Sequence, residues 1–553
     1  MTEESSSSTI ESSRRKELIK ARWGILRNAL LPQNPQQNEQ QLQHSIHRFS
    51  GYNLIQARPV NSESSLLECE WSLRQIEPFL TKFQWDCVQN DSLENNIDRL
   101  EIAILALAAC FPKGKCMKIV SAVSHSSDSW LESIKQRCQP SVRVLKVSEG
   151  LEQPEEASDQ VYEAAMVTTL LVQESSTSTK FQTLFYHLSR ETNVSDLKSN
   201  QNNHEGNGGD CATTNGSHPS RPHFIWTREP RENRLSLDDL VSHRKNNGVD
   251  NTGNICVWDS ERTLAYLLYN HFEDFSMDCA SHNDDENAIP AGVSNSNSIV
   301  QPQLQDSKHS SEIHILELGT GMAGLSALSL GIRLAMAEDR TKKNEKMETK
   351  KNSFHITLTD GNPSGVKNNA INQYLTKLNS QMIWERKGKY SYYLDLDVNC
   401  ETLLWTTDLE SAKDNNITNQ DIILVSDCVH FQNFHAALAT TTLRCLRVGA
   451  SAIFCQPTRG LSLDNFYNLL LTATSSDTDS VGSTSLLSCS WMLHPIIERK
   501  HREARLHFNN IYDENLHHPK ILVVTKLREI SKEDQARFIA YQERYSPIKS
   551  KVT

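Results

Sequence analysis

The chain has 553 residues, of which 37% are hydrophobic, and it carries a formal net charge of −11 at pH 7. This length exceeds one ordinary domain but accommodates a core of roughly 200–300 residues with attached segments. The negative charge argues against a protein that binds nucleic acid over its whole surface, because phosphate backbones attract positive surfaces. No apolar run reaches the ~18 residues that a membrane span needs, and the polar N-terminal stretch does not resemble a secretory signal. We therefore expect neither nucleic acid nor a membrane as a partner.

The 13 cysteines are odd in number and scattered, and no two of them form a C-x-x-C pair. This usage disfavours a disulfide framework and a cysteine-ligated zinc site, and it is typical of a reducing compartment. We therefore expect a protein of the cytoplasm, with the nucleus as a second compartment, and no metal site. A monomer is a separate expectation, which the cysteines do not address.

The N-terminal part of the chain predicts little chemistry. Residues 18–31 repeat apolar residues at three- and four-residue spacing, which predicts a helix, and residues 47–56 predict a strand. Residues 61–222 are predicted to be a variable, partly disordered insert of helical pieces and polar linkers, with one strongly apolar helix at 97–110. The Gly/Asn/Ser-rich stretch 199–222 predicts a linker at the end of this insert.

Between residues 224 and 526 short apolar runs alternate with helical segments. This alternation is typical of a parallel α/β sheet. The predicted strands are 314–318, 354–360, 421–427, 450–457, 490–496 and 520–526. Two polar inserts, near 279–312 and 338–352, are predicted to be surface loops. Residues 1–16 and 531–553 are predicted to be a disordered N-terminus and a C-terminal tail.

The strongest local signal is the segment ILELGTGMAGLSAL at 315–328, where an apolar strand runs into Gly319, Gly321 and Gly324. Glycine lets the backbone approach a nucleotide or amino-acid ligand, because no Cβ intervenes. The same spacing also satisfies the dinucleotide-binding pattern, and a tight strand–helix turn without a ligand is a third interpretation.

Two carboxylates narrow these interpretations. Asp360 ends the next predicted strand, where an acidic residue can accept hydrogen bonds from both ribose hydroxyls of an adenosine. Glu317 stands just before the glycines, where a carboxylate can meet the α-amino group of a methionine moiety. Dehydrogenases usually lack a carboxylate there, so the pattern favours S-adenosylmethionine over a nicotinamide cofactor.

Asp427 closes the third strong strand, in the segment VSDCVHF. A carboxylate at the carboxyl end of a parallel strand projects into the ligand crevice, where it can orient an incoming amine or accept its proton. An N-cap for the following helix is the alternative role, and the two are compatible. Trp258 and Trp405 lie outside any clear amphipathic stripe. Each is either a core residue or a ring that packs on adenine or a cation.

These residues occur in ordered blocks that resemble the seven-strand protein-lysine methyltransferases, in particular those that methylate calmodulin. The most specific blocks are DNTGN at 250–254 and YDENLH at 512–517. The further blocks are 21–30, 47–54, 358–362, 421–438 and 456–460. The resemblance covers roughly residues 17–58 and 224–528, and residues 61–222 have no counterpart in it.

The resemblance implies a Rossmann-like class I S-adenosylmethionine-dependent methyltransferase of the α/β class, with a mostly parallel seven-stranded sheet, an N-terminal extension and disordered inserts. It implies an N-terminal family segment at 17–60 and a methyltransferase domain at 223–530. The residues that it places around S-adenosylmethionine are Trp258, Glu317, Gly319, Gly321, Asp360 and Trp405.

The same resemblance places Asp427 and His430 at a lysine channel and implies that a lysine of calmodulin receives up to three methyl groups. His430 occupies a position that the family fills with an aromatic ring, which bears on how many methyl groups are added. Three alternatives are left open: a methyltransferase of another protein lysine, a non-catalytic scaffold that binds the cofactor, and a nicotinamide-dependent oxidoreductase, which Glu317 disfavours. Basic segments at 14–27 and 498–507 are either solvated helix faces or docking sites for an acidic protein partner.

Overall fold

The computed structural model describes residues 52, 54–55, 57–59, 81–85, 93–110, 114–121, 129–139, 141–152, 165–175, 181–189, 223–230, 257–275, 312–344, 353–387, 391–409, 417–472, 485–507 and 512–545. The predicted helix 18–31, most of the predicted strand 47–56, the linker 199–222, the block 250–254 and nearly all of the insert 279–312 lie outside these ranges. Within them, no helix combines the length and the hydropathy that a membrane crossing requires.

Strands and helices are numbered in chain order. The strands are β1 (Ala57–Pro59), β2 (Thr81–Trp85), β3 (Lys115–Ser121), β4 (Val142–Glu152), β5 (Ala165–Glu174), β6 (Phe181–Leu188), β7 (His223–Pro230), β8 (Glu312–Leu318), β9 (Ser353–Asp360), β10 (Leu396–Thr402), β11 (Gln420–Ser426), β12 (Leu446–Pro457), β13 (Leu487–Met492) and β14 (Pro519–Lys526). The helices are α1 (Leu93–Cys110), α2 (Ser129–Cys138), α3 (Asp259–Asn270), α4 (Leu325–Asn344), α5 (Pro363–Lys387), α6 (His435–Cys445), α7 (Ser462–Leu471), α8 (Pro495–His507), α9 (Glu514–His517) and α10 (Lys532–Tyr545).

The central sheet has seven strands in the order β10-β9-β8-β11-β12-β14-β13. Strands β8 to β12 pair in parallel, and only β14 runs antiparallel to its neighbours β12 and β13. The chain moves outward from β8 to β10 on one side and then returns to β11 on the other, so the carboxyl ends of β8 and β11 form a topological switch point. This mostly parallel seven-stranded arrangement confirms the predicted class I methyltransferase fold.

Five of the six predicted strands coincide with β8, β9, β11, β12 and β14. The sixth, 490–496, is displaced: β13 ends at Met492, because Pro495 begins α8. Strand β10 was not predicted. It is an edge strand that pairs only with β9 and is nowhere fully buried, so its sequence LDVNCET lacks an apolar run.

The prediction of helical pieces and polar linkers for 61–222 is wrong for most of the part that the structure describes. The apolar helix at 97–110 is confirmed as α1, but strands β2, β3, β5 and β4 form a second sheet beside it. These strands mix β-branched residues with polar ones, as in AMVTTLLVQE of β5, where Leu170 and Val172 are buried in the core with α1 and α2 while Leu171 and Gln173 are half-buried.

This second unit is joined to the methyltransferase sheet. Strand β7 lies after the predicted domain boundary at 222–223 yet pairs along its length with β6 before it. The backbone of β7 is also bonded to α5, since the amide of Trp226 donates to Thr376 Oγ1 at 2.9 Å and that hydroxyl donates to the Trp226 carbonyl at 3.0 Å. Ile371, Leu375 and Leu378 of α5 complete the apolar core between the two units.

Two of the predicted loop or tail segments are partly helical. Helix α4 continues through Asn344 into the predicted insert 338–352, and its Asp339 accepts a 2.7 Å hydrogen bond from the Tyr392 hydroxyl. Helix α10 lies within the predicted tail 531–553 and buries Phe538 completely. A single buried face on an otherwise charged helix gives a weak apolar pattern, which the low overall hydrophobicity of the segment concealed.

Candidate active site

The glycine segment lies at the carboxyl end of β8, where the chain turns into α4. Gly319, Gly321 and Gly324 have φ values of +67°, +56° and +59°, a backbone region that favours glycine. A Cβ on Gly319 would lie 2.5 Å from Cys428 Sγ, and one on Gly324 would lie 2.5 Å from Leu358 Cδ1. Both conformation and space therefore require glycine here.

Asp360 lies directly beside this turn, at the carboxyl end of β9. Its Oδ2 accepts a hydrogen bond from the Gly321 amide at 3.0 Å, and its Oδ1 accepts one from the Asn362 amide at 2.7 Å. The Thr320 amide donates to the Thr359 carbonyl at 2.9 Å, which fixes the turn to the end of β9. The structure thus joins the predicted glycine and acidic elements into one unit with a half-buried carboxylate.

Three asparagines of α5 brace the same turn, and the sequence analysis did not identify them. Asn369 Nδ2 donates to Thr320 Oγ1 at 2.7 Å and to the Gly321 carbonyl at 3.1 Å. Asn368 and Asn372 both donate to the Met322 carbonyl, at 3.1 and 2.7 Å. Buried carbonyls in a tight turn need such donors, because the turn itself leaves them unpaired.

Glu317 is fully buried at the end of β8, together with Glu261 of α3. The two carboxylates cap the first turn of α4: the Leu325 amide donates to Glu261 Oε1 at 2.7 Å and the Ala327 amide to Glu317 Oε2 at 2.9 Å. Burial raises the pKa of Glu317 to about 8. Burial and the neighbouring Glu317 raise the pKa of Glu261 well above its usual value. Among the described residues, no group donates to the buried Glu317 Oε1.

Asp427 follows β11 and is paired with Arg459 of the β12–α7 loop. Arg459 Nε donates to Asp427 Oδ1 at 2.9 Å and Nη2 donates to Oδ2 at 2.6 Å, a two-point ion pair in which the Asp427 side chain is 5% exposed. Phe431 and Phe434, not Asp427, precede the next helical turns, so the N-cap interpretation is wrong. Both ion-pair residues have a positive φ, +51° and +44°. Such a conformation costs about 1–3 kcal/mol in a non-glycine residue and is concentrated at functional sites.

The block YDENLH holds Arg459 in place. The Arg459 amide donates to the Asn515 carbonyl at 2.8 Å, and Thr458 Oγ1 donates to Asn515 Oδ1 at 3.1 Å. Asp513 caps α9 by accepting the Asn515 amide at 2.9 Å. This specific block of the sequence therefore acts structurally, as the support of the loop that contacts Asp427.

Trp258 and His430 contact the two residues of the ion pair, and Phe431 and Phe434 continue from His430. The Trp258 ring centroid lies 5.3 Å from the Arg459 guanidinium carbon, close enough for cation–π attraction. His430 Nδ1 donates to the Asp427 carbonyl at 2.9 Å, and its ring centroid is 3.6 Å from that of Phe431. Phe434, 41% exposed, contacts Phe431 edge to face. This wall of rings can face a cation.

Cys428 connects the two groups of residues. Its Sγ lies 3.8 Å from the Gly319 carbonyl oxygen, and it follows Asp427 directly in the chain. Trp405 lies beside Gly319 as well, since the same added Cβ would be 3.1 Å from its Cζ2. The structure thus gathers Glu317, Gly319, Gly321, Asp360 and Trp405 on the β8–β9 side. It places Asp427 and His430 on the β11 side, with Trp258 joined to them through Arg459.

No family model matches the chain. A calmodulin-lysine N-methyltransferase of Arabidopsis thaliana is 28% identical over 245 residues, which cover 44% of this chain and 57% of that protein, so the match spans little more than half of the relative. An O-methyltransferase from Bacillus cereus, in complex with SAH, is 15% identical with a TM-score of 0.21, covering 38% of this chain and 74% of that one. An arsenic(III) S-adenosylmethionine methyltransferase from Chlamydomonas reinhardtii is 10% identical with a TM-score of 0.20, covering 40% of this chain and 65% of that one. The fold assignment rests on strand order and register, not on these two likenesses.

Proposed function

We propose that the protein is an S-adenosylmethionine-dependent protein-lysine methyltransferase, and that its substrate is calmodulin. The observation that carries the proposal is the contact of Cys428 with the glycine turn. That contact sets Asp427, a carboxylate suited to an amine, beside the Gly321–Asp360 unit, which is suited to an adenosine. Both lie at the switch point of the sheet, where folds of this class bind ligands.

The residues present suit this cofactor. The half-buried Asp360 can accept ribose hydroxyls, and the Trp405 ring beside Gly319 offers a surface for adenine. The buried Glu317 Oε1, which no described residue pairs, is an acceptor suited to an α-amino group. A positive group there would favour the ionised form of Glu317, against the burial that raises its pKa. When bound, S-adenosylmethionine supplies a methyl group on a sulfonium.

The chain's own contribution is to position a lysine and to help it lose a proton. Asp427 attracts the protonated amine, whose pKa is ~10.4 in water, and the neighbouring rings lower that pKa by partly excluding water, so that the amine passes its proton to solvent before it accepts the methyl group. An incoming ammonium competes with Arg459 for the two oxygens of Asp427. Alignment of the amine supplies a large part of the catalytic effect in such transfers.

The choice of calmodulin has two supports besides the likeness in ordered blocks. The Arabidopsis relative carries that substrate in its name. Helix α8 exposes Arg499, Arg502 and Arg505, and positive side chains speed the association of an acidic protein. We further propose a monomer in the cytoplasm or nucleus, consistent with the free thiols among the described cysteines.

A labelling experiment tests the function. The full-length protein is incubated with calmodulin and S-adenosylmethionine that carries an isotopic label on the methyl group, and the hydrolysed product is analysed for methyllysine. We expect labelled methyllysine, and none when calmodulin is replaced by a version with its lysines converted to arginine. If another protein of a cell extract is labelled and calmodulin is not, calmodulin is not the substrate. If no lysine is labelled in any protein, the protein is not a lysine methyltransferase.

A further inference from the structure

A cluster of three side chains outside the candidate active site has the composition of a metal centre. It comprises His501 of α8, Glu514 of α9 and His518, which precedes β14; one donor atom from each lies within 4.8 Å of the others. Both histidines are 7% exposed, whereas Glu514 is half exposed. The two imidazole rings stack, with centroids 3.9 Å apart.

His518 is prepared to be a ligand. Its Nε2 donates to Glu498 Oε1 at 3.2 Å, and because a carboxylate only accepts, this nitrogen holds the ring proton. In the neutral ring the lone pair of Nδ1 is then left over, on the side of Glu514 Oε1, 3.9 Å away. Nδ1 is buried and lacks a hydrogen-bond partner among the described residues, which is costly unless something binds there.

His501 has a matching arrangement. Its Nδ1 contacts the Tyr512 hydroxyl, which in turn lies 3.3 Å from the hydroxyl of Tyr52. In the tautomer whose Nδ1 donates to the Tyr512 hydroxyl, the lone pair of Nε2 lies on the side of Glu514, 3.9 Å away. Outer partners of this kind orient histidine ligands in metal sites.

We propose that His501 Nε2, His518 Nδ1 and Glu514 bind a divalent transition-metal ion of the zinc class. Two imidazole nitrogens and one carboxylate suit Zn²⁺, which completes a tetrahedron with water. Tetrahedral ligands at ~2.1 Å stand ~3.4 Å apart, whereas His501 Nε2 and His518 Nδ1 each lie 3.9 Å from an oxygen of Glu514 and all three donors lie within 4.8 Å of one another. Side-chain rotation that brings the donors closer by about 0.5–1.4 Å would complete the site. No metal site was expected from the scattered cysteines, and His501, Glu514 and His518 were not considered there because their spacing matches no short metal motif.

The location of the cluster gives the ion a structural role. Glu514 adjoins Asn515, which holds the Arg459 amide, and His501 lies on α8. An ion bound by all three ligands would fix α9 to α8 and so stabilise the loop that contacts Asp427.

A second cluster, His271, Asp274 and His494, offers a matched control. Its donor atoms also lie within 4.8 Å of one another, but both nitrogens of His494 are used: Nδ1 accepts the Ile496 amide at 3.3 Å, and Nε2 donates to Asp274 Oδ2 at 3.2 Å. No lone pair of His494 is left for an ion. The two clusters have similar residues, but His518 has a nitrogen without a hydrogen-bond partner among the described residues, whereas His494 has none. We therefore expect only the first cluster to bind a metal ion.

The test uses the full-length chain without a histidine tag, stripped with a chelator and titrated with Zn²⁺ by calorimetry, and with Co²⁺ to record ligand-field absorption. We expect about one ion per chain, with affinity reduced 10–100-fold or more in His518→Gln and in Glu514→Gln, and unchanged in His494→Gln. Circular dichroism checks each fold. Should His518→Gln unfold, Glu514→Gln decides, because its half-exposed side chain can change without disturbing the core.

Three results would overturn the proposal: no binding by the stripped protein, equal binding by wild type and Glu514→Gln, or a loss in His494→Gln as large as in His518→Gln. None of these readouts depends on methyl transfer.

Discussion

At the scale of single residues, the proposed chemistry depends on Asp427. Asp427→Asn keeps the shape of the side chain and removes the charge that attracts an ammonium. We expect the rate of methyl transfer to fall ~100-fold or more, the usual scale for a positioned acid–base group. Steady-state assays with calmodulin measure it, with the exposed Asp464→Asn as a control that keeps full activity. An unimpaired Asp427→Asn enzyme would reduce Asp427 to a partner of Arg459.

Asp360 is the residue that we expect to contribute most to binding of S-adenosylmethionine. Asp360→Ala removes the acceptor of the Gly321 amide and of two ribose hydroxyls. Hydrogen bonds to a charged group are worth ~1.5–3 kcal/mol, so S-adenosylmethionine should bind more than tenfold more weakly. Calorimetry measures this, and Asp397→Ala, on the exposed edge of the sheet, is the matched control. Unchanged affinity would refute the assignment, and tighter binding of NADH than of S-adenosylmethionine would revive the oxidoreductase interpretation.

His430 bears on the number of methyl groups transferred. His430→Phe exchanges a ring that is hydrogen-bonded to the Asp427 carbonyl for a purely aromatic surface. A methylated ammonium gains a better π partner, so the products should shift from fewer to more methyl groups. Mass spectra of calmodulin treated with each enzyme measure the distribution. If the two distributions coincide, position 430 does not face the amine and the adjacent Phe431 is the next residue to change.

The residues that sequence alone predicts are those with a local signature. Gly319 and Gly321 follow a predicted strand, and Asp360 and Asp427 each end one. The apolar pattern of the strand and the position of the residue at its end are therefore enough to identify them. Arg459 and the asparagines of α5 have no such signature, because their partners lie far away in the chain and are brought close only by the fold. The segment NNAIN at 368–372 does place three amides near one face of a helix, which is the one signal that was available.

At the scale of elements, buried strands were predictable and exposed ones were not. Strands β8, β11 and β12 each have a run of consecutive buried positions at the carboxyl end, where apolar residues predominate. Strand β10 is an edge, and β2 to β5 belong to a sheet whose sequence mixes polar and β-branched residues, so neither gave an apolar run. Helix α10 was missed because one buried face is a weak pattern.

Helix α10 is expected to be part of the core. Phe538 is fully buried in the cluster formed with α6 and α7, so Phe538→Ala leaves a cavity. We expect a loss of about 3–5 kcal/mol in the free energy of unfolding. Thermal or urea denaturation measures it, against Glu543→Ala on the exposed face of the same helix. If the two variants have equal free energies of unfolding, residues 531–553 are a tail outside the core.

At the scale of the whole molecule, stability should depend on pH through His435. This ring is fully buried, contacts the Val429 carbonyl at 2.6 Å and the Tyr545 hydroxyl at 2.9 Å, and burial lowers its pKa to about 4. In the unfolded chain His435 therefore binds a proton near pH 6.5, whereas in the folded chain it stays neutral at that pH. The free energy of unfolding therefore decreases as the pH falls through this range. Between ~pH 7.5 and ~pH 5 the loss is about 2 kcal/mol.

Glu261 and Glu317, whose pKa values are raised, act in the opposite sense, since their protonation favours the folded state as pH falls. The comparison is therefore between wild type and His435→Gln, which share these carboxyls. The difference in unfolding free energy between the two should narrow toward pH 5. A constant difference across the window would show that His435 does not titrate as inferred.

We propose that the protein transfers methyl groups to a lysine of calmodulin, and intact-mass spectrometry of calmodulin tests this proposal. Calmodulin is measured after incubation with S-adenosylmethionine and either the wild-type protein or Asp427→Asn. We expect the mass of calmodulin to increase by one to three methyl groups with the wild-type protein, and to increase little or not at all in the same time with Asp427→Asn. Unmodified calmodulin with an intact, cofactor-binding wild-type protein would contradict it.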